Sequence, residues 1–364
     1  MKQNRREILR TAAMATIASS ALSSVAKSQS AEKFDSIPRV KLTSLPTSLN
    51  KMANLTTLMG GPDIYIKRDD VMELAHGGNK TRKLEFALAE ALMSGAKAVV
   101  TQGGLQSNHV RQTVSGAAKV GLEVHVILSN PVPEMEAELK GSGNYLMDQI
   151  MGAHIHLAGA EGRGPVVEKV LADLTAAGKK PYNIPAGASN AIGSMGYVNA
   201  GRELIEQWKE QGISPSHIFT ATGSCGTAAG LLMGLRYFGN KTTKVVAMSV
   251  SASADRLKPR IRQILNEASD MLGVSHDFVK DDDIHVEDGY YGKAYGYPTD
   301  AGIAALRMVG EAEGILLDPV YTSKGMSGVI DMLRKDKLVN PRDLVFLHTG
   351  GAPAIHPYAN YFKA

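Results

Sequence analysis

The pattern of hydrophobic and polar positions changes its period repeatedly along the chain. Short apolar runs bounded by glycine, proline or charge predict strands, and longer segments with apolar residues three or four apart predict helices. This alternation predicts an α/β fold with open parallel sheets and helices on both faces. The predicted strands are Ile64 to Asp70, Ala98 to Thr101, Glu123 to Leu128, His154 to Leu157, Pro181 to Ile184, His217 to Thr220, Lys244 to Ser249 and Leu344 to His348. The predicted helices are Ser48 to Leu58, Thr81 to Ser94, Asn108 to Val120, Gly143 to Met151, Gly164 to Ala177, Gly196 to Glu210, Gly226 to Tyr237, Ala254 to Leu272, Thr299 to Glu313 and Ser327 to Lys335.

The alternation runs in two series, and the second begins at the polar turn Gly187-Ala188-Ser189-Asn190. No proline- or serine-rich linker separates the two series. Two α/β domains of this kind face each other across a cleft, and ligands bind in such clefts. We therefore expect an active site between two open parallel-sheet domains.

Residues 1–30 have the features of an export signal. Arg5 and Arg6 precede a mildly apolar run, rich in alanine and serine, from Thr11 to Val25. This order resembles a twin-arginine signal peptide. The run is too short and too polar to span a bilayer. We expect the twin-arginine machinery to export the chain to the periplasm, with no stable membrane association. A basic N-terminal tail is the alternative interpretation.

The composition of the chain indicates which binding partners and structural features are not expected. Hydrophobic residues make up 44% of the chain and charged residues 21%, as in ordinary globular proteins. The net charge of +4 is spread along the chain, so no nucleic-acid-binding patch is predicted. Cys225 is the only cysteine, which excludes an intramolecular disulfide. No cysteine or histidine cluster has metal-ligand spacing, so no transition-metal site is predicted. Asp69 and Asp70 are expected to form a solvated turn.

A glycine-rich turn, Ala221-Thr222-Gly223-Ser224-Cys225-Gly226-Thr227, lies between the strand that ends at Thr220 and an apolar helix. Small residues let backbone N–H groups converge, and the helix N-terminus adds a partial positive charge. The turn lacks the lysine of a nucleoside-triphosphate loop and the spacing of the dinucleotide fingerprint. It therefore predicts a site for one phosphate, although such a turn can also be merely tight.

Lys80 is the candidate reactive group. It follows Gly77-Gly78-Asn79 and begins a helix with an apolar period, where a backbone turn can hold an amine inside a site. A helix lysine taken alone is more often solvated. The combination of a single-phosphate site with a lysine at a glycine turn points instead to pyridoxal 5'-phosphate, bound to Lys80 as a Schiff base.

Six motifs follow one another over nearly the whole chain after the leader. They are Gly77 to Glu85, Gln106 to Gln112, Ala221 to Thr227, Tyr295 to Pro298, Asp318 to Thr322 and His348 to Gly351. Together they resemble the D-cysteine desulfhydrase and 1-aminocyclopropane-1-carboxylate deaminase family. The resemblance implies a tryptophan-synthase-β-type fold, that is, fold type II of the pyridoxal phosphate enzymes, and a homodimer. It also implies a small domain, residues 83–190, inserted into a large cofactor-binding domain, residues 31–82 and 191–364.

The resemblance further implies roles for individual residues. Lys80 corresponds to the Schiff-base lysine, and Asn108 to the partner of the cofactor's phenolic oxygen. Ser107 corresponds to a contact of the substrate carboxylate and to a candidate nucleophile, and Tyr295 and Tyr321 to two active-site tyrosines. His109 is a further candidate substrate contact, although a lone histidine at a helix start is more often structural. The remaining expected cofactor contacts are Asn79, Thr222, Gly223, Ser224, Cys225, Gly226, Thr227, Thr322 and Thr349.

Three positions favour the desulfhydrase branch of this family. Thr322 and Thr349 stand where the deaminases carry glutamate and leucine, and His109 stands where they carry glutamine. A carboxylate near the pyridine nitrogen makes the ring a strong electron sink, whereas a hydroxyl is only a hydrogen-bond partner. Sulfide takes the electrons as it leaves, so elimination from Cβ needs only the weaker sink. The resemblance, which alone supplies the D configuration, then implies α,β-elimination of D-cysteine to pyruvate, hydrogen sulfide and ammonia. The alternatives are an L-cysteate sulfo-lyase, a 1-aminocyclopropane-1-carboxylate deaminase and, outside the enzymes, a periplasmic solute-binding protein.

Overall fold

The computed structural model describes residues 31–363, and the predicted signal peptide, residues 1–30, lies outside them. Residues up to Pro38 belong to a separate N-terminal unit, and the features below all lie in the unit that begins at Arg39. Within the described residues, no helix combines the length and the apolar character that crossing a bilayer requires.

The strands form two sheets. They are β1 (Leu49–Lys51), β2 (Ile64–Arg68), β3 (Ala98–Gly104), β4 (Glu123–Ser129), β5 (His154–Leu157), β6 (Pro181–Asn183), β7 (His217–Thr222), β8 (Lys244–Ser249), β9 (His285–Glu287) and β10 (Leu344–His348). The large sheet has the order β1-β2-β10-β7-β8-β9, and the small sheet has the order β5-β4-β3-β6. All neighbouring strands run parallel except β1, which pairs antiparallel with β2. The parallel α/β fold predicted from the sequence is confirmed.

Helices connect and cover the strands. They are α1 (Ala53–Met59), α2 (Lys80–Met93), α3 (Asn108–Lys119), α4 (Glu136–Gly141), α5 (Gly143–Ile150), α6 (Arg163–Ala176), α7 (Ala191–Gln211), α8 (Gly226–Tyr237), α9 (Ala254–Leu272), α10 (Asp300–Glu313) and α11 (Thr322–Arg334). A 3-10 segment, Ala352–Tyr361, follows β10.

Apolar clusters lie between the sheets and their helices. One cluster contains Leu88 of α2 and Val126 of β4. Another contains Phe346 of β10 and Val329 of α11. A third packs Ile127 of β4 against α6. Because neighbouring residues of a strand point to opposite faces, Val126 and Ile127 bury both faces of the small sheet.

The predicted elements agree with the structure over most of their length. β1, α4 and β9 were missed because three to six residues do not display a full period. The predicted helix Ser48 to Leu58 is wrong at its start, where Leu49–Lys51 forms the edge strand. α11 begins at Thr322 rather than Ser327, because buried polar residues such as Lys324 hide the apolar period there. The domain boundaries after residues 82 and 190 stay predictions.

A buried cluster of charged side chains joins β2, α2 and α7. The guanidinium of Arg82 on α2 donates to both oxygens of Asp69 at 2.9 Å, and to those of Glu203 on α7 at 2.8 and 2.9 Å. The Lys67 ammonium on β2 also contacts Glu203, and the Tyr197 hydroxyl donates to Asp69 at 2.5 Å. Two cations therefore face two anions, so the buried charges of this cluster are balanced.

Asp69 is fully buried, so the expected solvated turn is wrong at this residue. Burial, the largest single effect, would raise the pKa of the Asp69 carboxyl, but Arg82, Lys67 and Tyr197 together hold that pKa below its ordinary value. Asp70 lies nearer the surface and pairs with Arg68 at 2.8 Å. Glu203, the second carboxylate bound by Arg82, is far away in sequence, and this explains why the local pattern did not reveal the cluster.

Arg82 tests the contribution of this cluster to stability. Arg82→Ala leaves the Asp69 and Glu203 carboxylates buried without their guanidinium, and we expect it to lower the free energy of unfolding by about 3–5 kcal/mol. Arg82→Lys keeps one charge but loses the bidentate geometry, so its loss should be intermediate. The control is Lys169→Ala, which removes an exposed i,i+4 partner of Asp173 and should change little. Urea denaturation followed by circular dichroism measures all three, and equal stability of Arg82→Ala and the control would contradict this account.

Candidate active site

A cavity of about 240 Å³ lies at the carboxyl ends of parallel strands from both sheets. Gly104 ends β3, Thr222 ends β7, and Thr349 directly follows β10. Ligands of open α/β sheets bind at this edge. The cavity is lined by these residues predicted from the sequence: Asn79, Lys80, Ser107, Asn108, His109, Thr222, Gly223, Ser224, Cys225, Thr227, Tyr295, Tyr321 and Thr349.

Lys80 is the first residue of α2, and a glycine turn places it there. Gly77 has φ +74°, and a Cβ at this position would lie 1.8 Å from the Asp70 carbonyl oxygen, so only glycine fits. The Lys80 amine donates to Asn79 Oδ1 at 2.8 Å. Burial lowers the pKa of Lys80 to about 8, although Asp318 opposes this shift. A large fraction of the amine is therefore neutral, and nucleophilic, near pH 8.

The predicted phosphate turn joins β7 to α8. Cys225 has φ +71° and precedes the first turn of α8, so the backbone curls around the space beside Gly223 and Ser224. Thr227 Oγ1 accepts a hydrogen bond from Asn79 Nδ2 at 3.0 Å, which links this turn to the start of α2. Burial raises the pKa of the Cys225 thiol to about 11, so it stays protonated and inert. N–H groups, hydroxyls and the helix N-terminus thus meet in a cradle for one phosphate.

Three side chains to which the sequence analysis assigned no role support this cradle. The buried Lys83 amine donates to Gly187 O at 2.8 Å and to Ser189 Oγ at 3.0 Å. Ser189 Oγ donates to Ser224 Oγ at 2.8 Å, and Arg260 donates to Ser189 O at 2.6 Å. Lys83 lies three residues after Lys80 on the same helix face, and this spacing is the sequence feature that could have identified Lys83 as part of the site.

Ser107 and Asn108 begin α3 beside β3. Ser107 caps the helix, and its Oγ accepts from Val110 N at 3.3 Å. Asn108 Oδ1 accepts from Asn144 Nδ2 at 3.0 Å. Because the amide oxygen is engaged, the Asn108 NH2 group is the part of the side chain that can donate to an acceptor in the cavity.

The tautomer of His109 follows from its hydrogen bonds. Thr101 Oγ1 donates its single proton to Ile184 O at 2.9 Å, so it must accept from His109 Nε2, 2.7 Å away. Burial, together with Lys80 and Lys83, lowers the pKa of His109 well below its ordinary value, so the ring is neutral. Its Nδ1 atom is therefore a buried acceptor, and it has no hydrogen-bond partner among the described residues.

Tyr295 and Tyr321 form a pair at the wall of the cavity. Their hydroxyl oxygens lie 2.5 Å apart. Burial raises the pKa of Tyr295, and burial with the neighbouring Tyr295 raises that of Tyr321 well above its ordinary value. Both phenols are therefore protonated at neutral pH, and the pair has a proton available to donate into the cavity.

Two residues predicted to contact a cofactor do not line the cavity. The Thr322 hydroxyl donates to Asp318 Oδ1 at 2.7 Å and accepts from Asp318 N at 2.7 Å. Gly226 lies beneath the cradle, and a Cβ there would lie 2.7 Å from Lys83 Nζ and 2.9 Å from Ser189 Cα. Residues that line the cavity without having been predicted as contacts are Gln102, Gly103, Gly104, Arg163, Ala186, Gly187, Ala221 and Ser251.

These residues fit pyridoxal phosphate. The cradle at Gly223 and Ser224 suits a phosphate, and the Lys80 amine suits a covalent bond to an aldehyde. Asn108 can donate to a ring oxygen, and the unpartnered Nδ1 of His109 marks a polar group that a ligand would satisfy. Bound there, the cofactor would be held by Lys80, Asn108, Thr349 and the turn from Thr222 to Thr227.

Comparisons with known proteins identify the family of this chain. Residues 40–350 match the family model described as "Pyridoxal-phosphate dependent enzyme". The D-cysteine desulfhydrase of Yersinia pestis (strain Pestoides F) is 39% identical over 328 residues, which cover 90% of this chain and 98% of that protein. The D-cysteine desulfhydrase of Salmonella paratyphi C (strain RKS4594) is 39% identical over 322 residues, which cover 88% and 96%.

Solved structures show the same fold. A crystal structure described as that of an ACC deaminase homologue has a TM-score of 0.83 and 35% identity, and the match covers 92% of this chain and 98% of that one. A fungal L-serine ammonia-lyase from Rhizomucor miehei matches with a TM-score of 0.64 and 19% identity over 88% and 99% of the two chains, which shows the fold alone. This chain belongs to the pyridoxal-phosphate dependent enzyme family.

Proposed function

We propose that this protein is a D-cysteine desulfhydrase, which converts D-cysteine and water to pyruvate, hydrogen sulfide and ammonia. Two relatives of that name, each 39% identical over about nine-tenths of the chain, support the substrate. The observation that supports the reaction type is the set of side chains that line the cavity. Among its described lining residues there is a lysine amine, a phosphate cradle and several hydroxyls, but no carboxylate.

The lack of a carboxylate in this lining favours an elimination. Pyridoxal phosphate, when bound, supplies the sink that stabilises negative charge at Cα of the amino acid. A carboxylate at the ring nitrogen would strengthen that sink. Here Thr349 offers a hydroxyl, and the Thr322 hydroxyl is engaged with Asp318. A weaker sink suffices when a sulfur leaving group departs from Cβ with the electron pair.

Lys80 is positioned to move the Cα proton. Its amine reaches the cavity, and burial lowers its pKa to about 8, so a large fraction of the amine is neutral near pH 8 and can accept a proton. Asn79 Oδ1 holds the amine at 2.8 Å, and Thr227 in turn holds the Asn79 amide. The Lys80 amine is thus oriented from the side of the phosphate cradle.

Ser107 and the tyrosine pair complete the assignment. Ser107 and the backbone at the start of α3 would orient the substrate carboxylate. The protonated Tyr295–Tyr321 pair would position the substrate and donate a proton to the departing sulfur. The resulting three-carbon product hydrolyses to pyruvate and ammonia. A deaminase of 1-aminocyclopropane-1-carboxylate and an L-cysteate sulfo-lyase remain the alternative activities, whereas family membership removes the support for a solute-binding protein.

Homodimer formation and export are also proposed. Support for the dimer comes from the family resemblance, and support for export from Arg5 and Arg6 ahead of the apolar run. Light scattering of the purified enzyme measures its molar mass and therefore tests the homodimer.

Cell fractionation tests export. The full-length protein should fractionate with the periplasm, and replacing Arg5 and Arg6 by lysine should retain it in the cytoplasm. A periplasmic yield unchanged by that replacement would contradict twin-arginine export.

A substrate panel tests the reaction. We expect D-cysteine to give the highest kcat/KM and to release pyruvate and sulfide in equal amounts. L-cysteine, L-cysteate, β-chloro-D-alanine and 1-aminocyclopropane-1-carboxylate should be compared at matched concentrations, with keto acid, sulfide and sulfite measured. If sulfite release from L-cysteate had the highest kcat/KM, the protein would instead be a sulfo-lyase. If keto acid formation from 1-aminocyclopropane-1-carboxylate had the highest kcat/KM, it would instead be a deaminase.

The tyrosine pair offers a second test. Tyr321→Phe removes a proton donor from the cavity, and we expect kcat for sulfide release to fall about 10²-fold with cofactor content unchanged. The matched control is Tyr297→Phe, because the Tyr297 hydroxyl contacts Glu134 at 3.1 Å and does not line the cavity. Wild-type kcat in the Tyr321 variant would exclude a role for this hydroxyl in the rate-limiting step.

A further inference from the structure

A group of histidines lies on the small sheet, away from the cavity. β4 carries Glu123 and His125, and the neighbouring strand β5 carries His154 and His156. In the parallel register His125 lies opposite His154. Residues two apart on a strand point to one face, so these four side chains share a face of the sheet. They lie near the amino ends of the strands, whereas the cavity lies at the carboxyl end of β3.

Three of these side chains converge on one point. Glu123 Oε1 lies 2.8 Å from His125 Nε2 and 3.6 Å from His154 Nε2. One donor atom from each of the three residues lies within 4.8 Å of the others. Ligands bound at about 2.1 Å around a tetrahedral ion lie roughly 3.4 Å apart. The three atoms are therefore close to the spacing that a single ion requires, and a small side-chain rotation would complete it.

Neighbouring groups already orient two of the three donors. His125 Nδ1 lies 3.1 Å from His156 Nε2, so His156 can fix the ring through the nitrogen that faces away from Glu123. The Lys179 ammonium donates to Glu123 Oε2 at 2.6 Å and leaves Oε1 for another partner. Supporting bonds of this kind to the second ring nitrogen and to the second carboxylate oxygen are usual around metal ligands.

The charge state of the cluster suits a cation. Burial lowers the pKa values of His125 and His156, and the Lys179 ammonium lowers that of Glu123. These shifts favour neutral imidazoles at His125 and His156 and an ionised carboxylate at Glu123, which are the forms that bind and support metals. Lys169 and Asp173 on α6 also act on His156, but they pair with each other at 2.6 Å. His154 is 56% exposed, so solvent can reach the site and fill a fourth position.

We propose that Glu123, His125 and His154 bind one divalent transition-metal ion, with Zn²⁺ as the best match to two imidazoles and a carboxylate. The sequence predicts no such site, because metal-ligand motifs are recognised by the spacing of the ligands within one stretch of the chain. Here the ligands come from two strands that only the parallel pairing of β4 and β5 brings together. The metal would bind whichever reaction the cavity catalyses.

Calorimetric titration with ZnCl2 tests the proposal on the full, cofactor-loaded enzyme without a histidine tag. We expect one saturable site per chain in the wild type. His154→Ala and Glu123→Gln should weaken it at least tenfold, and His156→Ala should weaken it about tenfold through the orientation of His125. The control is His276→Ala, because His276 is similarly exposed, at 53%, and pairs with Asp270 at 2.8 Å, but lies outside the cluster. Its affinity should equal that of the wild type.

Absence of saturable Zn²⁺ binding by the wild type would overturn the proposal. So would unchanged affinity in His154→Ala, since the metal would then sit elsewhere, for example on the cofactor phosphate. X-ray absorption on the wild type with one equivalent of Zn²⁺ needs no variant. Two imidazole ligands support the site, and a shell of oxygen atoms alone contradicts it.

Discussion

The ion pairs that Arg82 makes with Asp69 and Glu203 fix the start of α2, and the position of Lys80 depends on them. Arg82 follows Lys80 by two residues, and its guanidinium is bound on two sides, by the segment after β2 and by α7. Burying four charges costs desolvation free energy, which the paired geometry and the hydrogen bonds offset. The chain thus anchors the first turn of α2, which carries the reactive amine, through a buried and hydrogen-bonded charge cluster, and support of this kind is what a catalytic group needs.

Burial sets the protonation states of the side chains that line the cavity. Lys80 has a lowered pKa of about 8, His109 is neutral, and the two tyrosines are protonated. Burial therefore favours the uncharged form of each of these groups. The first turn of α8 faces the place where a phosphate would bring negative charge, and Lys83 supports that place from behind through its hydrogen bond to Gly187.

Local pattern and motif order predicted the elements and most of the site. Lys80, Ser107 and the turn from Thr222 to Thr227 could be found because each sits at a strand end or helix start that has its own sequence signature. Features that depend on distant pairing could not be found. The sequence predicts a solvated turn at Asp69, whereas Tyr197 of α7, far away along the chain, donates a hydrogen bond to it. The histidines of β4 and β5 likewise meet only when those strands pair.

The measurement that bears most directly on the central claim is borohydride reduction of the purified holoenzyme, followed by mass-spectrometric mapping of the modified peptide. Reduction fixes the cofactor to the amine that binds it. We expect a single pyridoxyl group on Lys80, because that amine reaches the cavity beside the phosphate cradle. Modification of Lys83 or Lys324 instead, or cofactor that is bound but not linked to any lysine, would contradict it.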